Sequence, residues 1–168
     1  DELFTNLKKK GHPVVRRDVA EFLAQIVLLK QPERILEIGT NVGYSAIMMA
    51  RQMKNGKIWT VDYRRDHHDK ALENFKKYGV EDRIVLITNY AENILEGLGD
   101  GFDLIFIDAD KKGYSAYLDF AVSNLNSKGI IIADNLFWKG SVIAPEGFED
   151  ERNVIPSLMD FNKKFVSL

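Results

Sequence analysis

The chain reads as a doubly wound α/β domain with a mainly parallel sheet, and three observations predict it. Five short apolar runs, each followed within two residues by Gly, Asp or Asn, alternate with segments of helical periodicity. The runs around 84–87, 102–107 and 129–133 are almost continuously apolar, as strands buried on both faces must be. The stretch from Ile35 to Ser45, Ile-Leu-Glu-Ile-Gly-Thr-Asn-Val-Gly-Tyr-Ser, joins a strand to a helix through a glycine turn. Sheets of this class bind their ligands at such corners.

Taken in order, Pro13 opens a segment in which Val15, Val19, Phe22, Leu23, Ile26 and Leu29 recur at helical spacing, predicting a helix over about 13–30. Arg34 to Ile38 is the first strand, and Ile47, Met48 and Ala50 lie on the helix after the glycine turn. Asn55-Gly56 marks a turn before a strand over Lys57 to Val61 that ends in Asp62. The polar stretch from Arg64 to Tyr78 buries Ala71, Leu72 and Phe75 on one helical face. A third strand over Ile84 to Ile87 precedes a short helix carrying Ile94 and Leu95, and Phe102 to Ile107 is the fourth strand. Tyr114, Tyr117, Leu118, Ala121, Val122 and Leu125 predict a helix, Gly129 to Ala133 a fifth strand, and Ile155, Leu158 and Phe165 a last helix.

No Pro/Gly/Ser-rich linker divides the 168 residues, so one domain is expected over 1–168, with its core over about 34–168. A formal charge of −2 argues against nonspecific coating of nucleic acid, although a local basic patch from Lys8 to Lys10 with Arg16 and Arg17 is compatible with docking RNA. With no cysteine there is no disulfide framework, thiolate zinc site or cysteine nucleophile. No apolar run reaches the length of a membrane span and no signal-peptide core is visible, so the expected location is cytoplasmic, with no membrane partner.

The residues at the strand ends carry the chemistry. Glycine at both ends of the 39–43 turn lets the backbone approach a ligand, and the amides opening the next helix are available to it. A dinucleotide fingerprint needs glycines two and five positions after Gly39, where Asn41 and Tyr44 stand, and Glu37 adds negative charge where a pyrophosphate would lie. The corner therefore suits a cationic, phosphate-free nucleoside. Asp62, 23 residues beyond Gly39, is placed to accept ribose hydroxyls. Strands four and five are expected to be neighbours, which brings Asp108 and the Asp134-Asn135 pair to one rim. Two carboxylates and an amide oxygen suit Mg²⁺, Mn²⁺ or Ca²⁺. Lys111 leaves the fourth strand toward that rim as a candidate general base. His67 and His68 point about 100° apart on a helix and read as a solvated helix start.

Glu37-Ile-Gly-Thr, Gly43-Tyr-Ser, Phe106-Ile-Asp-Ala-Asp-Lys111 and Asp134-Asn with Lys139-Gly-Ser resemble the cation-dependent O-methyltransferases that use S-adenosylmethionine, the class of catechol and caffeoyl-CoA O-methyltransferases. The resemblance covers nearly the whole chain. It implies a Rossmann-like fold and transfer of a methyl group from S-adenosylmethionine to a metal-chelated hydroxyl of a catechol-like small molecule. It also implies that Glu37, Gly39, Thr40, Tyr44 and Ser45 hold the methionine part, with Val15 lining the cofactor from the N-terminal side. Asp62 would take the ribose, with Tyr63 and Ala91 flanking the adenine. Asp108, Asp134 and Asn135 would bind the divalent cation, Mg²⁺ before Mn²⁺ or Ca²⁺, with Asp108 also near the cofactor and Lys111 as the base.

Family chains continue into an antiparallel hairpin that is missing here, which predicts an exposed apolar edge at Gly129 to Ala133. Asn89-Tyr90 replaces the family's small residues beside the adenine pocket, and Phe137 and Trp138 are the candidate acceptor wall. Relatives imply a homodimer. Lys30-Gln-Pro, Gly43-Tyr-Ser-Ala-Ile and Phe137-Trp-Lys-Gly also resemble a bacterial branch that methylates 5-hydroxyuridine in tRNA, which makes tRNA the alternative acceptor. A non-catalytic nucleoside-binding module is the alternative of another class, and an NAD-dependent dehydrogenase is disfavoured by Asn41 and Tyr44.

Overall fold

The structure is a computed structural model that describes residues 2–144 and 154–168. Its elements run α1 (Glu2–Lys9), α2 (Arg17–Lys30), β1 (Arg34–Ile38), α3 (Tyr44–Ala50), β2 (Lys57–Asp62), α4 (Arg65–Lys77), β3 (Ile84–Thr88), β4 (Phe102–Ile107), α5 (Tyr114–Asn124), β5 (Leu125–Ala133) and α6 (Ile155–Val166). The five strands form one sheet in the order β3-β2-β1-β4-β5, and every neighbouring pair is parallel. The winding reverses between β1 and β4, so the crevice outside their carboxyl ends is the place where this topology leaves room for a ligand.

Alternation along the strands sorts the core into two layers. Ile35, Leu104 and Phe106 face the side covered by α2, α3 and α4, where Leu23, Val27, Ile47 and Phe75 pack. Leu36, Ile38, Ile105 and Ile107 face the other side, where Tyr117 and Leu118 of α5 and Leu158 and Phe161 of α6 close the layer. Period-two alternation also puts Glu37 on the first face, among apolar neighbours.

Four sequence expectations are corrected. Residues 2–9 form α1, which the lysine run conceals; its Leu3 and Leu7 sit one turn apart and are both buried. The helix expected from Pro13 begins at Arg17, because the chain stays extended through Arg16 (φ −61°, ψ 151°) while Val14 and Val15 are buried. The short helix around Ile94 is a pair of 3₁₀ turns, Ala91–Asn93 and Leu95–Leu98. Strand β5 starts at Leu125, four residues early, through a register shift opposite Phe102 to Leu104. Among the described residues no antiparallel strand follows β5, so β5 forms an edge of the sheet, and Ile130, Ile131 and Ile132 are half-buried there.

Candidate functional site

The turn after β1 is fixed by backbone geometry. Gly39 has φ +111°, and a Cβ there would meet the Asp108 carbonyl oxygen at 2.0 Å, so the residue must be glycine for β1 and β4 to approach. Gly43 has φ +84°, and a Cβ there would strike the Phe75 ring at 2.4 Å. The turn amides are largely engaged: Gly39 and Thr40 donate to Val61 O, Asn41 to Asp62 Oδ2, and Gly43 to Thr40 O. Side chains therefore supply most of the polarity at this corner.

Beneath the turn lies a closed polar network. Glu37 is fully buried; Ser45 Oγ donates to its Oε1 and Thr60 Oγ1 to its Oε2. Thr40 Oγ1 lies 2.6 Å from Thr60 Oγ1 and completes the chain. Burial pushes the Glu37 carboxyl up to about 7; the two hydroxyl donors oppose that rise, and the charges of Asp108 and Asp62 add to it. Glu37 lines neither of the cavities above it. It lies beneath the turn as a foundation for Ser45 and Thr40, both of which line the smaller cavity.

Two cavities open at the carboxyl ends of the strands, and Gly39, Asn41, Asp108 and Ala109 belong to both. The larger, of about 530 Å³, is lined by Asp62, Tyr63 and Ala91 as expected, and also by His67, Tyr90 and Glu92. Asp62 accepts from the Arg64 amide at 2.9 Å through Oδ1, and from the Asn41 amide at 2.7 Å through Oδ2. Tyr63 and Tyr90 stack on each other with ring centroids 5.1 Å apart and planes 7° apart, which makes an aromatic platform at the mouth. Farther in, the Tyr117 hydroxyl donates to Glu92 Oε1 at 2.8 Å.

The smaller cavity, of about 380 Å³, gathers Val15, Thr40, Tyr44, Ser45, Asp108, Lys111, Asp134 and Asn135 around one space, with Trp138 beside them. Lys111 is buried; its Nζ donates to Asp108 Oδ1 at 3.0 Å and to the Tyr114 hydroxyl, and lies 5.8 Å from the Trp138 ring centre. That hydroxyl is in turn 2.9 Å from Asp134 O and 3.2 Å from Ile107 O, so Tyr114 ties the ends of β4 and β5 together. Burial raises the Asp108 carboxyl, the Asp134 charge adds to the rise, and Lys111 opposes it. Burial also holds the Tyr114 phenol far above its ordinary value, so it stays a neutral donor.

The donor set tests whether a metal suits this rim. Among the described residues no group of three His, Cys, Asp and Glu side chains is disposed to hold an ion. The candidates are two carboxylates and one amide: Asp108 and Asp134 are close enough that each charge acts on the other, and Asn135 is in the left-handed region at φ +61°, its amide donating to Asp134 Oδ1 at 2.7 Å. Hard oxygen donors with room for water and a further ligand fit Mg²⁺ or a similar cation.

Phe137 is 63% exposed and lines neither cavity, so of the expected acceptor wall Trp138 alone stands at one. Sequence reasoning placed Tyr90 beside this pocket but missed His67 and the Glu92–Tyr117 pair. His67 and His68 are half-buried and bonded, to Asp62 and Thr88 respectively, and are not a solvated helix start. The signal available for His67 was its position five residues beyond a strand-end aspartate. A further unforeseen feature is that Lys8 and Arg16 reach the rim of the smaller cavity.

Comparison with known proteins places this geometry. The sequence model of a family described as O-methyltransferase matches residues 3–167. The chain is 35% identical over 161 residues to a catechol O-methyltransferase of Niastella koreensis, covering 91% of this chain and 70% of that one. It is 36% identical over 126 residues to a catechol O-methyltransferase of Mycobacterium tuberculosis, covering 74% and 57%. Among solved structures, an O-methyltransferase from Bacillus cereus in complex with SAH superimposes with a TM-score of 0.89 at 28% identity, covering 99% of this chain and 78% of that one. TomG from Streptomyces achromogenes, in complex with SAM, gives a TM-score of 0.86 at 25% identity, covering 96% and 74%.

Proposed function

The chain belongs to the O-methyltransferase family, and from that membership we propose that it moves the methyl group of S-adenosylmethionine to a metal-chelated hydroxyl of a catechol-like small molecule. The observation that carries the reading is the pair of cavities joined at Gly39, Asn41, Asp108 and Ala109: a nucleoside-sized space beside a lysine and two carboxylates. Supporting it are the names of the relatives and the SAM- and SAH-bound neighbours.

In this reading the nucleoside occupies the larger cavity, with Asp62 on the ribose and Tyr63, Tyr90 and Ala91 around the base. The amino-acid part lies past the 39–43 turn, against Val15, Tyr44 and Ser45, over the Glu37 network. S-adenosylmethionine supplies an electrophilic methyl on a sulfonium, which needs no phosphate cradle. Asp108, Asp134 and Asn135 would hold a divalent cation, Mg²⁺ first, whose Lewis acidity lowers the pKa of a chelated hydroxyl.

Lys111 takes the hydroxyl proton. Its Nζ is held at the rim by two acceptors, Asp108 Oδ1 and the Tyr114 oxygen, which aims the amine at the space where the acceptor hydroxyl would lie. The oxygen–carbon bond forms as the sulfur–carbon bond breaks, and the proton stays on Nζ until solvent removes it. Trp138, Val15 and the sheet ends exclude water from one side, so positioning supplies much of the rate.

A second acceptor class is favoured by Lys8 and Arg16 at the rim of the smaller cavity, where phosphates flanking a 5-hydroxyuridine of tRNA would pass. One experiment tests both. The protein is incubated with methyl-labelled S-adenosylmethionine and either catechol or tRNA that carries 5-hydroxyuridine, with Mg²⁺ or with EDTA. Label is expected in methylated catechol with Mg²⁺ and not with EDTA. Label in tRNA alone transfers the reading to RNA, transfer that ignores EDTA removes the metal, and label in neither leaves a nucleoside-binding module.

A further inference from the structure

His67 stands in the larger cavity and the chemistry above does not use it. Its Nδ1 is 3.1 Å from Asp62 Oδ2, and its side chain is 13% exposed. An ionised carboxylate only accepts, so the bonded Nδ1 carries the ring hydrogen and a neutral ring has its bare lone pair on Nε2. Among the described residues Nε2 has no protein partner.

The carboxylate itself is nearly saturated. Of roughly four acceptor positions on an ionised Asp, the Asn41 amide and His67 Nδ1 take two on Oδ2, and the Arg64 amide takes one on Oδ1. One remains, on Oδ1. A ribose presents two hydroxyl donors side by side, so Asp62 alone has one position too few.

We propose that His67 is a further ribose-recognition residue, with one hydroxyl donating to Asp62 Oδ1 and its neighbour to His67 Nε2. The proposal rests on the reading of this cavity as a nucleoside site and extends it: the site selects nucleosides with an intact diol through two side chains. The Asp62–His67 bond sets the tautomer that makes Nε2 an acceptor, and the start of α4 carries the ring to the cavity wall.

The test measures calorimetric affinities of S-adenosylhomocysteine and of its 2′-deoxy and 3′-deoxy forms for the wild type, His67→Phe and His67→Ala. In the wild type each deletion weakens binding by about 5-fold or more, as expected for a lost hydrogen bond with its protein partner left unpaired. In His67→Phe one of the two penalties shrinks to less than about 2-fold while the other persists. His67→Ala carries the same expectation should the phenyl ring disturb α4, as monitored by circular dichroism. Two unchanged penalties overturn the proposal; so does an equal shrinkage of both, which would mean that His67 only holds Asp62 in place. Failure of the wild type to bind S-adenosylhomocysteine overturns the nucleoside reading itself.

Discussion

The buried carboxyl beneath the turn makes a stability prediction that the wild type and Glu37→Gln together can test. Burial raises Glu37 from its ordinary 4.5 to about 7 in the folded protein, so the folded state binds this proton more tightly than the unfolded state does. The contribution is therefore fully present below pH 4.5 and is lost as the pH rises toward 7. At 1.36 kcal/mol per pH unit, the gap between 4.5 and about 7 amounts to about 3 kcal/mol. Glutamine keeps the shape and offers Ser45 an acceptor and Thr60 a donor, while carrying no charge at any pH. The assay is urea unfolding of both proteins at half-unit steps from pH 4.5 to 8, taking the difference in unfolding free energy so that all other titrating groups cancel. The wild type is expected to lose about 3 kcal/mol relative to Glu37→Gln across that window. A difference that stays flat refutes the inference that the carboxyl is held neutral by burial, and shows that Ser45 and Thr60 alone sustain the anion.

Three more perturbations follow from the geometry. Gly39→Ala places a methyl group 2.0 Å from the Asp108 carbonyl at a φ of +111°, and is expected to cost about 3 kcal/mol or more and abolish S-adenosylhomocysteine binding, as read by calorimetry and thermal melting. Lys111→Met is expected to lower kcat by about 100-fold or more while leaving S-adenosylmethionine affinity within a factor of about 3; an unchanged kcat would remove Lys111 from proton transfer. Tyr114→Phe deletes the hydroxyl between the ends of β4 and β5, and should destabilise the fold by about 1–3 kcal/mol in urea unfolding, with Lys111 losing one acceptor.

What the sequence revealed divides along the range of the interactions involved. Strands β1 and β4 match their predicted limits because each run of apolar residues is bounded by a residue that must turn. Asp62, Asp108 and Asp134 were visible for the same reason: they stand at strand ends, where the topology collects whatever is polar. The buried network around Glu37 was not visible because a sequence does not display register. Thr60, the partner of Glu37, is its opposite number on β2, and a shift of one residue would have removed that contact. His67 was missed because helical periodicity describes a residue's neighbours on its own helix, whereas its partner is the strand end just upstream. Helix α1 was hidden by composition: three successive lysines outweighed two leucines one turn apart.

The wall shared by the two cavities has a thermodynamic corollary. Because Gly39, Asn41, Asp108 and Ala109 face both, an occupant of one compartment alters the surface presented to the other. Such coupling is reciprocal: whatever factor a ligand in the larger cavity applies to the affinity of the smaller, a second ligand in the smaller must apply to the larger. A single titration, of either ligand with and without its neighbour, therefore fixes both numbers, and a mismatch between the two measured factors would mean that the compartments are not linked by equilibrium binding alone.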